Sequence, residues 1–136
     1  MGIVYEEITL RNAVDVGAYK RGLITEQEIR QITITAIVDT GAATLVISHE
    51  LRRQLGLEIN GTSPARQADN MPVTVYTAEP VEVHWNNRQM TCEPWVFSET
   101  GTTLLGAIPL ENMDLMVDPK NQVLVGVHGD QMLGRL

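Results

Sequence analysis

From Gln31 to Ala36 apolar and polar residues alternate, with Ile32, Ile34 and Ala36 on one side and Thr33 and Thr35 on the other. That is the period of a strand, carried by β-branched residues. At Ile37 and Val38 both faces turn apolar, so the pattern predicts a strand end buried on both sides that delivers Asp39 inward. Ile3 to Leu10 predicts an earlier strand, and Asn12 to Gly22, punctuated by Asp15, Gly17 and Gly22, predicts a loop. After Asp39, Leu45-Val46-Ile47 predicts a short strand, and Ser48 is placed to cap a helix through Leu55. Leu51 and Leu55 share a face of that helix, Glu50 lies in its first turn, Arg52 and Arg53 come later, and Gly56 stops it. Asn60-Gly61 predicts a tight turn and Gln67 to Pro72 a polar bend. Further strands are predicted around Val73 and Val75, at Val81 to Trp85, at Met90 and Cys92 beyond an Asn86-Asn87 turn, and at Trp95 to Phe97. Asp118-Pro119-Lys120-Asn121 predicts a turn joining Leu115–Val117 to Val123–Val125. Turn signals roughly every ten residues predict a mostly-β fold, a closed sandwich or β-barrel with one or two short helices.

Composition narrows this picture. The 136 residues suit a single domain spanning 1–136, large enough to enclose a core without disulfides. Aromatics are only 4%, so the core must rest on aliphatic residues. Seventeen acids against ten bases give a net charge of −7, which repels phosphate backbones, so no nucleic-acid partner is expected. A single cysteine, Cys92, excludes an intrachain disulfide, and its alternation with Met90 reads as a small buried hydrophobe. With no signal-peptide pattern at the amino terminus and no apolar run near the ~20 residues that span a bilayer, the expectation is a cytoplasmic protein without a membrane partner. His49, His84 and His128 have no metal-ligand spacing, so no metal and no cofactor are expected.

The chemistry concentrates in Ala36-Ile37-Val38-Asp39-Thr40-Gly41-Ala42-Ala43-Thr44-Leu45-Val46. A hydrolase that attacks amides with water, without metal or covalent intermediate, needs one carboxylate as base and one carboxylic acid as proton donor. Two acids a few Å apart in a water-poor pocket cannot both ionise, so they share a proton and divide the roles; aspartic proteases are the standard example of this split. Thr40 offers a hydroxyl and a backbone N–H to position the acid, and Gly41 lets the main chain approach closely. Asp15, Asp69, Asp114, Asp118 and Asp130 each lack a following Thr-Gly, so one chain supplies only half of a matched pair. A two-fold axis between two copies of Asp39 would complete it.

Asp39-Thr40-Gly41-Ala42 after an apolar strand, with Leu104-Leu105-Gly106 more than sixty residues later, resembles the retropepsin-like aspartic proteases. The likeness runs in order of elements from about Ile29 to Val125. It implies an acid-protease domain that assembles as a homodimer and cuts peptide or protein substrates. Asp39, Thr40 and Gly41 would form the catalytic loop, with the Thr40 side chains reaching across to the partner and the chain termini interleaving as strands. The Leu-Leu-Gly stretch would lie beneath the loop, a helix from Ile108 to Met113 would follow, and Asp118 would stand in the turn beyond. A flap closing over substrate would centre on Gln67, Ala68, Asp69, Asn70 and Met71, and Ala42 and Ala43 would complete the substrate-binding set. Two departures stand out: the flap tip has no glycine, and Ala43 stands where many relatives carry a polar residue that bonds substrate backbone. They keep a second reading in play, a β-rich dimerisation or peptide-binding module without catalysis. Trp95 and Phe97 read as core or as a wall of a substrate pocket, and Glu26, Glu28 and Arg30 as a solvated face.

Overall fold

The computed structural model describes residues 2–134 and 136. Eleven strands and three α-helices follow one another as β1 (Val4–Asn12), α1 (Ala13–Lys20), β2 (Gln31–Val38), β3 (Leu45–Ile47), α2 (His49–Leu55), β4 (Ile59–Arg66), β5 (Pro72–Ala78), β6 (Val81–Trp85), β7 (Arg88–Cys92), β8 (Trp95–Val96), β9 (Leu104–Leu105), α3 (Ala107–Asn112), β10 (Leu115–Asp118) and β11 (Val123–Gly126). A 3-10 turn at Glu26–Glu28 precedes β2. Nine strands form one sheet in the order β4-β5-β8-β3-β9-β2-β1-β6-β7, and β10 pairs with β11 separately. The closed barrel expected from turn spacing is therefore replaced by a curled, open sheet, because β4 and β7 end the strand order as edges instead of pairing with each other. No helix is long and apolar enough to cross a membrane among the described residues.

The aliphatic core lies on one face of the curl. Val4, Ile8 and Leu10 from β1 meet Ala36 and Val38 from β2, Leu45 and Ile47 from β3 and Leu105 from β9. Leu51 and Leu55 of α2, Leu110 of α3, and Leu124 of β11 close it. The α2 helix begins where its capping residue requires: the Ser48 hydroxyl oxygen accepts from Leu51 N at 3.1 Å. It ends on Gly56 in the left-handed region at φ 67, a backbone state that costs glycine little.

Three local expectations are corrected. Asn12 to Gly22 is not a loop but opens into α1, because the buried Asn12 side chain accepts from Asp15 N at 3.0 Å as an N-cap and donates to Leu55 O at 2.9 Å. Asn60-Gly61 does not turn the chain; β4 runs through it with a register shift, and the Asn60 amide oxygen accepts from Thr77 Oγ1 at 2.7 Å, so the extra residue is absorbed as a bulge. Arg30 is not merely a solvated face. Its Nε and Nη2 grip the Asp15 carboxylate at 2.8 and 2.9 Å, and its backbone N–H adds a third bond at 3.0 Å.

Those bonds from Arg30 hold the Asp15 carboxyl below the usual carboxylate range. A depressed folded-state value means the stabilisation is present above the unfolded value near 3.9 and is lost as pH falls through the folded one. Asp15→Asn is expected to lower neutral-pH stability by about 1–2 kcal/mol, moderated because half of the Arg30 side chain is in water. In urea melts the gap from the parent protein should close below about pH 4; a gap unchanged from pH 7 to pH 2.5 would contradict this origin.

Candidate active site

Strand β2 ends at Val38 and the chain turns at once through Asp39, Thr40 and Gly41 into the loop that leads to β3. Strand β9 is inserted between the two arms of this loop, parallel to β2 through Ile37↔Leu104 and Val38↔Leu105 and antiparallel to β3 through Leu45↔Leu105 and Val46↔Leu104. The loop is thereby tied from below. Asp39 N donates to Leu105 O at 3.0 Å, Ala107 N to Ala42 O at 2.8 Å, and Ile108 N to Ala43 O at 3.0 Å. Within the loop, Gly41 N donates to Asp39 Oδ1 at 2.9 Å, which fixes the rotation of the carboxylate, and Ala42 N donates to Asp39 O at 3.1 Å.

Gly106 is the contact point of the whole arrangement. A Cβ there would fall 2.5 Å from the Ala42 carbonyl oxygen and closer still to that of Thr44. Both obstacles are backbone and cannot swing away. Gly106→Ala should therefore push the Asp39 loop off its seat, costing about 2–4 kcal/mol in a denaturant melt and most of any activity. A variant that matched the parent in both measurements would show that the close approach is not needed.

The expectation of an acid led into a dry interior from both faces needs correction. Val38 is buried on the core side, but Ile37 is only half-buried on the other face, Asp39 is half-buried, and Thr40 and Gly41 are exposed. The open face explains why: pairing register puts Tyr5, Ile37, Leu104, Val46, Trp95 and Thr77 in one row across six strands. Residues opposite one another share a face, so this row forms an apolar floor outside the core. Gly41, Ala42 and Ala43 of the loop share a cleft with Val46 and Trp95 of that row.

Over one end of the floor stands the hairpin of β4 and β5, with its tip at Gln67–Met71. Gln67 N donates to Met71 O at 3.0 Å, Asn70 N to Gln67 O at 2.8 Å, and Met71 N to Asp69 Oδ1 at 3.0 Å. Asn70 takes the left-handed state at φ 68, a role asparagine tolerates, so the tip turns without glycine. Between hairpin and loop lies a cleft of about 390 Å³, lined by Gly41, Ala42, Ala43, Val46, Ala65, Arg66, Gln67, Ala68, Val73, Val75, Trp95 and Phe97. Ala42, Ala43 and Ala68, expected at a substrate site, meet here with Gly41, expected in the catalytic loop; Asp39 and Thr40 stand outside the lining, as do Asp69, Asn70 and Met71, which form the tip. Val46, Ala65, Val73 and Val75 were missed as cleft residues. The alternation of Val73 and Val75 signalled a half-buried strand, and a flap centred on Gln67–Met71 makes the inward face of that strand a roof.

Elsewhere the polar residues singled out in the sequence settle into structural roles. His84 pairs with Glu82 at 2.8 Å and His128 with Asp114 at 2.6 Å, while His49 meets the edge of Tyr76 with ring centroids 5.5 Å apart. Burial pushes the Cys92 thiol up to about 11, away from nucleophile behaviour. Among the described residues no three His, Cys, Asp or Glu side chains converge as a metal-holding group.

An acid on a tight loop, braced by an interposed apolar-apolar-glycine strand and faced by a β-hairpin, is the architecture of a retropepsin-like aspartic protease. The chain belongs to the family described as "gag-polyprotein putative aspartyl protease", whose sequence profile matches residues 25–112. Among solved structures it is similar to a retropepsin-like aspartic protease from Rickettsia conorii, at 17% identity and a TM-score of 0.46, over 87% of this chain and 89% of that one. No curated protein sequence matches it.

Proposed function

We propose that two copies of this chain form an aspartic endopeptidase that hydrolyses peptide bonds in extended substrates. The observation that carries the reading is the seating of Asp39: its carboxylate is fixed by Gly41 N, its loop is braced by Leu105 to Ile108, and it stands half-buried, next to the exposed Thr40 and Gly41, beside a largely apolar cleft. In the dimer one Asp39 carboxylate takes a proton from water as the water oxygen bonds to the scissile carbonyl carbon, and the other Asp39, protonated, gives its proton to the carbonyl oxygen. The first then passes its proton to the amide nitrogen as the C–N bond breaks, and the second recovers one from a hydroxyl of the tetrahedral intermediate. The partner loop and the closing hairpin exclude the water that a single chain leaves around Asp39.

The seam of this dimer is proposed to lie around the loop itself. β1 pairs with β2 on one side and with β6 on the other, so the amino-terminal strand is already used within its own sheet. One step beyond the last β1–β2 pair, Val4↔Val38, places Ile3 across from Asp39, and Ile108 follows the backbone bond to Ala43. Both isoleucines are exposed, at 58% and 48%. Apolar side chains flanking an incomplete catalytic loop suit an isologous contact with a second copy. Specific activity is expected to rise with protein concentration, and Ile108→Glu should give a folded monomer in sedimentation that cleaves no peptide. An active monomer, or a tight dimer unaffected by Ile108→Glu, would remove this account of the seam.

The second reading, a peptide-binding module without turnover, is favoured by one observation: Ala43 brings only a methyl group to the cleft beside the motif. It predicts peptide binding by the parent protein with no cleavage at any pH.

A further inference from the structure

We propose that Arg66 makes the cleft select peptides that bring a carboxylate to its rim, from an Asp or Glu side chain or from a free carboxy terminus. The binding preference stands on the cleft itself; only its effect on which bond is cut rests on the endopeptidase reading. Among the described residues lining the cleft, Arg66 alone carries a charge. Its place follows from the register of the hairpin. Ala65 pairs with Val73 on the roof, and Arg66 pairs with Pro72 one step nearer the tip, where β4 ends. There it lines both the cleft and a hollow of about 240 Å³ shared with Pro64, Ala65 and Pro72. Arg66 therefore stands at the rim, within reach of a peptide that leaves the cleft past the tip.

The chain itself gives this cation no acid. Among the described residues no carboxylate forms an ion pair with Arg66. Its Nη1 donates to Asn70 O at 3.0 Å, which holds the side chain along the tip. Asp69, the acid nearest in sequence, has its Oδ1 turned to Met71 N at 3.0 Å. The loop side of the cleft brings only Gly41, Ala42 and Ala43, with no side-chain acceptor. The other N–H groups of the guanidinium are thus open to an incoming carboxylate, whose two oxygens match a planar fork. Position matters because the protein is acidic as a whole: at −7 it repels a carboxylate in general, and the apolar walls would strip its water without compensation. Beside Arg66 that cost is offset.

The test uses Asp39→Asn, so that peptides bind without being consumed, and calorimetry with neutral, amidated eight-residue peptides in which one Glu is moved through every position. A matched set carries Gln, which keeps the shape without the charge. One position should bind Glu about 5-fold tighter than Gln at low ionic strength, and the gap should shrink in about 1 M salt. Neutral peptides shortened to end at each position, compared as free acid and as amide, distinguish the terminal carboxylate from the side chain as the group recognised. Arg66→Gln added to this background should erase the gap, Arg66→Lys should keep part of it, and Arg66→Glu should favour Lys at the same position. A side chain that only braces the tip predicts instead that Arg66→Gln weakens charged and neutral peptides alike. No gap in either set, or a gap that survives Arg66→Gln, overturns the proposal. The unmodified protein separates the two claims: ranked binding without cleavage leaves the carboxylate preference standing and ends the endopeptidase reading, and cleavage indifferent to the charge does the reverse.

Discussion

Asp39→Asn is expected to reduce peptide turnover by a factor on the order of 10³ or more, while melting temperature, dimerisation and peptide binding stay close to those of the parent. The loss is large because the substitution acts twice: in the proposed symmetric dimer both the base and the acid become amides, and neither can move a proton. The fold should tolerate it because the bond that seats the side chain, Gly41 N to Asp39 Oδ1, needs only an acceptor oxygen, which the amide retains. The backbone bonds that Asp39 N donates to Leu105 O and Asp39 O accepts from Ala42 N do not involve the side chain at all. In the proposed dimer one proton is held between two acids, so parent activity should favour acidic to mildly acidic pH, and a statine-type mimic of the tetrahedral intermediate should inhibit it. A peptide-library assay across that range, with parent and variant side by side, decides the matter. Indistinguishable rates would remove Asp39 from the chemistry; binding by both with cleavage by neither would leave a recognition module.

The elements that position this site were readable because each carries a local reason for its shape. The strand begun by the alternation from Gln31 to Ala36, the Ser48 cap with Gly56 beyond it, and the Asp118-Pro119 turn are all present where periodicity and turn chemistry placed them. The α1 helix escaped because its apolar pattern is weak, with Val16 as its only buried apolar residue; its signal was Asn12 followed by Asp15, a cap and an acid in the first turn. The open floor escaped for a different reason. Ile37 reads as buried in a linear pattern, and only the register that aligns it with Tyr5, Leu104 and Val46 shows that its face lies outside the core. Arg88 was not legible at all, since a cation beside an Asn-Asn turn reads as surface until the carboxy-terminal segment folds over it.

That segment depends on Arg88. The side chain is 2% exposed, yet among the described residues no carboxylate oxygen is hydrogen-bonded to it; the Asp114 carboxylate is instead engaged by His128 and by Leu133 N. The guanidinium is hydrogen-bonded by backbone carbonyls: Nη1 reaches Met113 O and Asp114 O at 2.7 Å each, and Nη2 reaches Gly129 O and Gln131 O. One planar fork thus joins the end of α3 to the chain beyond β11, a geometry that an ammonium group cannot reproduce from a single point. Gly126 leaves the room for it, because a Cβ there would collide with Nη2. Arg88→Ala would strand these carbonyls and open a cavity, and is expected to destabilise the protein by about 3–5 kcal/mol, lowering Tm by roughly 10 °C or more. Arg88→Lys should recover less than half of that. Hydrogen exchange should locate the damage first in residues 126–134, with the Asp39 loop protected until global unfolding, because the loop is held by β9 and α3 backbone bonds that Arg88 does not make. A Tm within 2 °C of the parent for Arg88→Ala, or loss of protection in the loop before the tail, would mean that the tail is held by its other contacts and that Arg88 is not its clamp.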